Sequence, residues 1–237
     1  MRLIHKHEAE EVKTLSSKMA IKKELQMRKE QVKTLYDAKY LRFYEFENQD
    51  QGKYYVASRR EPDRLPALMT EDEFKKHLPD AVSCFVILNI KGQEKKLLLN
   101  REFRYPLGQY MLSVPAGIID PEDYDKENAI ERTAARELYE ETGIMIQESD
   151  EIAVVTPCVF STPGMTDEGN ALVYISINRD QMPAMTQTGA EGSEVFDGFC
   201  ILDHQQAQKL LSQGVDDRGF YMPLYTWAAL MFYLGVK

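Results

Sequence analysis

Apolar and polar positions alternate in two different rhythms along this chain. From Glu8 to Asp37, Val12, Leu15 and Met19 recur at helical spacing among mixed acids and bases, and Leu25, Val32 and Leu35 loosely continue the stripe. This predicts a charged helix with one apolar face for packing or dimerisation. The mixture of signs argues against a basic helix lying on a membrane. The rhythm then shortens. Tyr40–Phe46 and Tyr54–Ser58 are rich in aromatic and β-branched residues, and Asn48-Gln49-Asp50-Gln51-Gly52 between them predicts a hairpin. Residues 61–79 hold three prolines and many charges around a short helix from Glu71 to His77, as in a surface insertion or linker.

Ala81–Leu88 is nearly all apolar and predicts a buried central strand. Further strands are expected at Lys95–Asn100, Met111–Val114, Ile152–Phe160, Ala171–Ile177 and Glu194–Leu202. Helices are expected at Gln205–Gln213 and Pro223–Leu234, with Trp227 and Phe232 in the core. Between the strands, Ile130, Ala134 and Leu138 stand four apart, the apolar stripe of a helix stopped by Gly143, a natural left-handed cap. Strands and helices do not alternate regularly, so the fold class is α+β and not a Rossmann fold. Residues 1–60 form a helix-and-hairpin extension, and residues 61–237 the main domain.

Composition narrows the partners. The 237 residues carry a formal net charge of -9, which disfavours a nucleic-acid partner but not a small anionic substrate, because bound metal inverts a local field. The three cysteines, Cys84, Cys158 and Cys200, are far apart and mostly in apolar runs, as buried thiols of a reducing compartment are. The first residues do not resemble a signal peptide, and no run reaches the roughly 20 apolar residues of a membrane helix. A cytoplasmic location is expected, with neither membrane nor nucleic acid as partner.

The most specific signal is Arg136-Glu137-Leu138-Tyr139-Glu140-Glu141-Thr142-Gly143-Ile144. At 100° per residue, Glu137, Glu140 and Glu141 share an arc of roughly 100° on the helix. Like charges so placed repel unless a cation covers them, and hard divalent ions suit such oxygens: Mg²⁺ above all, with Mn²⁺ an alternative. Arg136 stands four residues before Glu140 and can hold it.

The stretch Gly117–Ile144 resembles the Nudix box, and the chain is similar to Nudix hydrolases over most of its length from Tyr40 onward. The second half of the box matches throughout. In the first half, Asn128 follows Glu127 and occupies the leading glutamate's position, and the spacing from Gly117 is five residues longer, through Pro121-Glu122-Asp123-Tyr124-Asp125. Arg101-Glu102-Phe103-Arg104-Tyr105-Pro106, followed by Ser113-Val114-Pro115-Ala116-Gly117, resembles the ADP-ribose pyrophosphatase group, in which many members carry glutamate where this chain has Ser113. That resemblance implies a mixed sheet sandwiched between helices, metal on Glu137, Glu140, Glu141 and the Ala116 carbonyl, and substrate on Arg104 and Arg101. It also makes Glu168, in Phe160-Ser161-Thr162-Pro163-Gly164-Met165-Thr166-Asp167-Glu168, the general base, with Glu191 and Glu194 as second choices. Relatives stack a base across a homodimer interface, for which Tyr40, Phe43 and Tyr44 are candidates.

The implied reaction is Mg²⁺-dependent hydrolysis of a nucleoside diphosphate linked to another group, foremost ADP-ribose to AMP and ribose 5-phosphate. Two rivals remain open at this level: another substrate such as a GDP-sugar, and a catalytically weak Nudix domain that senses a nucleotide. Asn128 and Ser113 are the residues that favour the second rival.

Overall fold

The structure is a computed structural model that describes residues 26–48, 52–124, 126–189 and 194–235. The chain divides into two compact units. The first takes the described residues up to His77 together with Thr162–Asp167. Its centre is an antiparallel sheet ordered β1 (Val32–Asp37), β2 (Arg42–Asn48), β3 (Gly52–Ser58). The hairpin expected from the sequence is present, with Asn48 opposite Gly52. The helix expected to run to Asp37 is not: Lys29–Gln31 is a single 3-10 turn and Val32–Asp37 is a strand. Val32, Thr34 and Tyr36 are β-branched or aromatic at alternate positions and find a ladder on β2, which outweighs the loose helical stripe. The rest of that predicted helix, 8–25, lies outside the described residues, as do the hairpin's central residues 49–51.

Within this unit Tyr44 is fully buried, and its hydroxyl donates to the Arg60 carbonyl at 2.8 Å. It is core, and so is withdrawn as a stacking residue; Tyr40 and Phe43 remain exposed. The 162–167 segment is pinned to β3 by Ala57 N–H to the Met165 carbonyl (3.0 Å) and Ser58 Oγ to Asp167 (2.8 Å). A short helix, α1 (Glu71–Lys76), starts at Thr70, whose hydroxyl accepts from Glu73 N–H while the Glu73 carboxylate accepts from Thr70 N–H.

The second unit is a mixed sheet between helices, as expected. Its strands are β4 (Ala81–Ile90), β5 (Lys96–Arg104), β6 (Gln109–Ser113), β7 (Ala116–Ile118), β8 (Glu151–Phe160), β9 (Gly169–Arg179) and β10 (Phe196–Leu202). The order is β10-β5-β4-β9-β8, with β6 on β5 and β7 on β4. Among these described strands, β4 and β9 pair in parallel and the other pairs are antiparallel. That pair is buried on both faces, which is why Ala81–Leu88 reads as a continuous apolar run.

Alternation along β4 and β5 divides the core in two. Val82, Cys84, Val86, Leu88 and Leu98 face α2 (Ala129–Thr142), which contributes Ile130, Ala134 and Leu138. Phe85, Ile87, Leu97 and Leu99 face α3 (His204–Gln213) and α4 (Leu224–Gly235). Phe232 packs against that second core, but Trp227 is 45% exposed. The buried positions of α4 are Thr226, Ala229, Leu230 and Tyr233, and Trp227 falls outside that stripe. Cys84 and Cys200 are buried as expected, whereas Cys158 is only half-buried.

Candidate active site

Helix α2 begins and ends on left-handed residues. Asn128 has φ 56° and is the one non-glycine residue with positive φ among those described. Asparagine tolerates that conformation better than glutamate does, which gives a backbone reason for the departure from the box. At the far end Gly143, φ 71°, donates its N–H to the Tyr139 carbonyl at 2.7 Å. The helix thereby ends with its last carboxylates facing β7.

There Glu137 and Glu141 meet the Ala116–Gly117 backbone, and Glu140 joins them through Arg136. A Cβ on Gly117 would lie 1.9–2.2 Å from the carboxyl atoms of Glu137, so residue 117 must be glycine for that carboxyl to sit where it does. Glu141 Oε1 accepts from Ala116 N–H at 3.2 Å, and Oε2 accepts from the Asn100 amide. Arg136 spans the group. Its Nη1 is 2.9 Å from both Glu137 and Glu140, and its Nη2 donates to the Ile118 carbonyl at 2.9 Å and lies 3.3 Å from Asp120.

Glu137 and Glu141 are 5% and 3% exposed. Burial pushes the Glu137 carboxyl up to about 7, against the pull of Arg136 and with the repulsion of Glu140, Glu194 and Asp120. Burial likewise carries Glu141 well above the usual carboxylate range; the Ala116 N–H opposes this, and Glu102, Glu137 and Glu194 add to it. Glu102 is raised in the same way by burial, with Arg104 opposing. A set of buried acids that repel one another is the electrostatic setting a cation relieves.

The donor chemistry fits a hard divalent ion: three carboxylates and, beside them, the Ala116 backbone. Among the described residues no three acids, histidines or cysteines are gathered as a coordination shell. Glu137 and Glu140 lean on Arg136, and Glu141 on Asn100 and Ala116. A Mg²⁺-sized ion that keeps several waters does not need a closed protein cage.

The structure brings Arg104 to this side of the sheet and not Arg101. Leu98, Asn100, Glu102 and Arg104 alternate onto the α2 face of β5, where Arg104 Nη2 lies 2.7 Å from Glu102 Oε2. Arg101 points the other way. It donates to the Phe199 carbonyl, lies 3.8 Å from Asp216, and lines a cavity of about 410 Å³ with Lys209 and Arg218.

The two loop acids also separate. Glu168 precedes β9, and its charge is felt at the Tyr225 hydroxyl. Glu194 precedes β10, and its charge is felt at Glu102, Glu137 and Glu141 alike. Glu191 lies outside the described residues. Sequence reasoning did not single out Glu102, Asn100 or Gln187. For Glu102 the signal was available: it shares a strand face with Arg104.

A sequence profile of the NUDIX domain matches residues 77–222. An ADP-ribose pyrophosphatase of Saccharomyces cerevisiae is 31% identical over 147 residues, 60% of this chain and 57% of that protein. An ADP-sugar pyrophosphatase of Mus musculus is 37% identical over 101 residues, 43% of this chain and 42% of that protein. The chain thus spans about half the length of these curated relatives. Among solved structures, a Caenorhabditis elegans Ap4A hydrolase in a binary complex is a loose likeness, with a TM-score of 0.43 and 15% identity over 65% of this chain and 94% of that one.

Proposed function

The chain belongs to the NUDIX family, and from that premise we propose that it is a metal-dependent pyrophosphatase that cleaves the diphosphate of ADP-ribose or a close ADP-sugar. For ADP-ribose the products are AMP and ribose 5-phosphate. The observation that carries the reading is the pair of buried carboxylates, Glu137 and Glu141, set against the Ala116–Gly117 backbone. The printed names of the yeast and mouse relatives support the substrate class.

Phosphoryl transfer of this kind rests on positioning and charge neutralisation. When bound, Mg²⁺ or Mn²⁺ supplies positive charge for the diphosphate oxygens and acidifies a water. Glu137, Glu140, Glu141 and the Ala116 carbonyl would hold it. Arg136 keeps Glu137 and Glu140 side by side until then. Arg104, held by Glu102, is aimed along the same sheet face and would clamp the diphosphate by two parallel N–H donors. For the group that takes or steers the proton, the family resemblance supports Glu168, and the electrostatic reach of Glu194 into the cluster supports Glu194. A homodimer is supported by the exposed apolar side chains of the three-stranded sheet, among them Leu35, Tyr36, Phe43 and Tyr54.

The test is incubation of the purified chain with Mg²⁺ and a panel of ADP-ribose, GDP-mannose and NADH, with products read by mass. AMP and ribose 5-phosphate from ADP-ribose, lost in Glu141→Gln, is the expected result. Binding of these ligands without turnover of any would overturn the enzymatic reading in favour of a sensor, and preferential turnover of GDP-mannose would overturn the substrate.

A further inference from the structure

Asn100 is an outlier in its strand. It follows three buried leucines, is itself fully buried, and lies on the α2 face of β5, where Leu98 is core. A buried amide needs partners for both its ends, and here both are found. Its Nδ2 donates to Glu141 Oε2, and its Oδ1 accepts from Gln187 Nε2 at 3.2 Å. Gln187 is itself fixed by backbone: its Oε1 accepts from Gly198 N–H at 2.9 Å, and its Nε2 lies 3.4 Å from the Gly198 carbonyl.

The direction of this chain follows from its end. A backbone N–H can only donate, so Gln187 must turn its oxygen to Gly198 and its NH₂ toward Asn100. Asn100 must then present its oxygen to Gln187 and its NH₂ to Glu141. Gly198 is free to anchor the chain because β10 shifts register against β5 between Phe196 and Phe199, with Gly198 at φ 75°. A bulge of this kind turns backbone groups out of the ladder and is common beside active sites. The Gln187 segment is docked on α2 as well. Thr186 N–H donates to the Thr142 carbonyl at 2.9 Å, and a Cβ on Gly189 would come within 2.5 Å of the Glu140 carbonyl oxygen.

We propose that Gly198, Gln187 and Asn100 form a positioning relay that holds the Glu141 carboxylate for the cation, and that the 186–189 segment thereby sets the metal affinity of the site. The inference rests on the reading of Glu141 as a metal ligand. Asn100 and Gln187 are positioning residues and touch no substrate. They act by occupying one lone pair of Oε2, as the Ala116 N–H occupies one of Oε1, which leaves the other lone pairs of both oxygens for the ion.

The test is Mn²⁺ binding to the full chain, read from the electron paramagnetic resonance signal of the free ion, with thermal unfolding of each variant alongside. Asn100→Leu keeps the branched shape and heavy-atom count and removes the donor; it should weaken Mn²⁺ binding by roughly 10- to 100-fold, the usual cost of losing a partner behind a metal ligand. Gln187→Glu should weaken it comparably with Asn100 intact, because the introduced carboxylate makes Asn100 turn its amide over and present oxygen to Glu141. The double variant should bind no worse than Asn100→Leu alone, whereas independent structural damage would add. If Asn100→Leu does not fold, Gln187→Glu carries the same prediction. Wild-type Mn²⁺ affinity in either folded variant, or additive losses in the double variant, would overturn the relay. If Glu141→Gln binds Mn²⁺ like the wild type, the assignment of Glu141 as ligand fails and the relay fails with it.

Discussion

One methyl group at residue 117 should separate the site from the fold. In Gly117→Ala the new Cβ would stand 1.9 Å from Glu137 Cδ, where ordinary contact begins near 3.4 Å, so the carboxyl must retreat by about 1.5 Å. That movement also breaks its 2.9 Å pairing with Arg136. The backbone itself accepts alanine: residue 117 lies in a strand, paired with Val82, and is not among the positive-φ glycines. Replacing a strand glycine by alanine contributes roughly 0.5–1 kcal/mol of stability through the unfolded chain. The metal-free variant should therefore unfold at or above the wild-type temperature. Its Mn²⁺ affinity should fall by about tenfold or more, and its turnover of ADP-ribose by on the order of 100-fold, the cost of misplacing a reacting centre by about 1 Å. The three assays are thermal unfolding without metal, Mn²⁺ titration and product release. Wild-type affinity and rate in a folded Gly117→Ala protein would refute the placement of Glu137.

Further outcomes follow from the same structure. Because the folded carboxyl of Glu137 sits at about 7 against 4.5, its protonated form stabilises the metal-free protein below the unfolded value. That contribution, roughly 3 kcal/mol, is lost as pH rises through 7. The metal-free melting temperature should therefore fall from pH 5 to 7, and Glu137→Gln should make that fall shallower, with Glu141 supplying the remainder. Mn²⁺ affinity should drop by about tenfold or more per unit as pH falls below 7, since the raised carboxyls of both Glu137 and Glu141 must give up their protons to the ion; a flat affinity between pH 5.5 and 7.5 would contradict this. Glu194→Gln and Glu168→Gln, assayed for turnover and Mn²⁺ affinity, divide the base role: the true base loses rate with its metal affinity nearly unchanged. Leu138→Ala, at a fully buried position in the core under α2, should cost about 2–5 kcal/mol in denaturant unfolding.

What could be read from the sequence was local. Helix α2 came out with its stripe, its acids and its glycine stop because all three are set by residues within a few turns of one another. The central strand was legible because burial on both faces leaves one continuous apolar run. Long-range pairing was not legible. Val32–Asp37 became a strand only because β2 offers it an edge. Asn100 and Gln187 meet because the β5–β10 pairing and its bulge bring Gly198 beside them, and nothing in either segment announces the other. Arg101 and Arg104 share one sequence motif, although residues three apart on a strand must face opposite ways. That period-two count was available from the sequence, as was the 226-229-230-233 stripe that leaves Trp227 outside the core.

The central claim is that the acids of α2 and the Ala116 backbone hold a divalent cation. Diffraction at the manganese edge, from crystals of the full chain grown with Mn²⁺, tests it most directly. The account predicts an anomalous peak bonded to Glu137, Glu141 and the Ala116 carbonyl oxygen, with Glu140 in the same shell or one water away. A structure with Mn²⁺ bound elsewhere, and with Arg136 and Asn100 still the partners of these carboxylates, would contradict it.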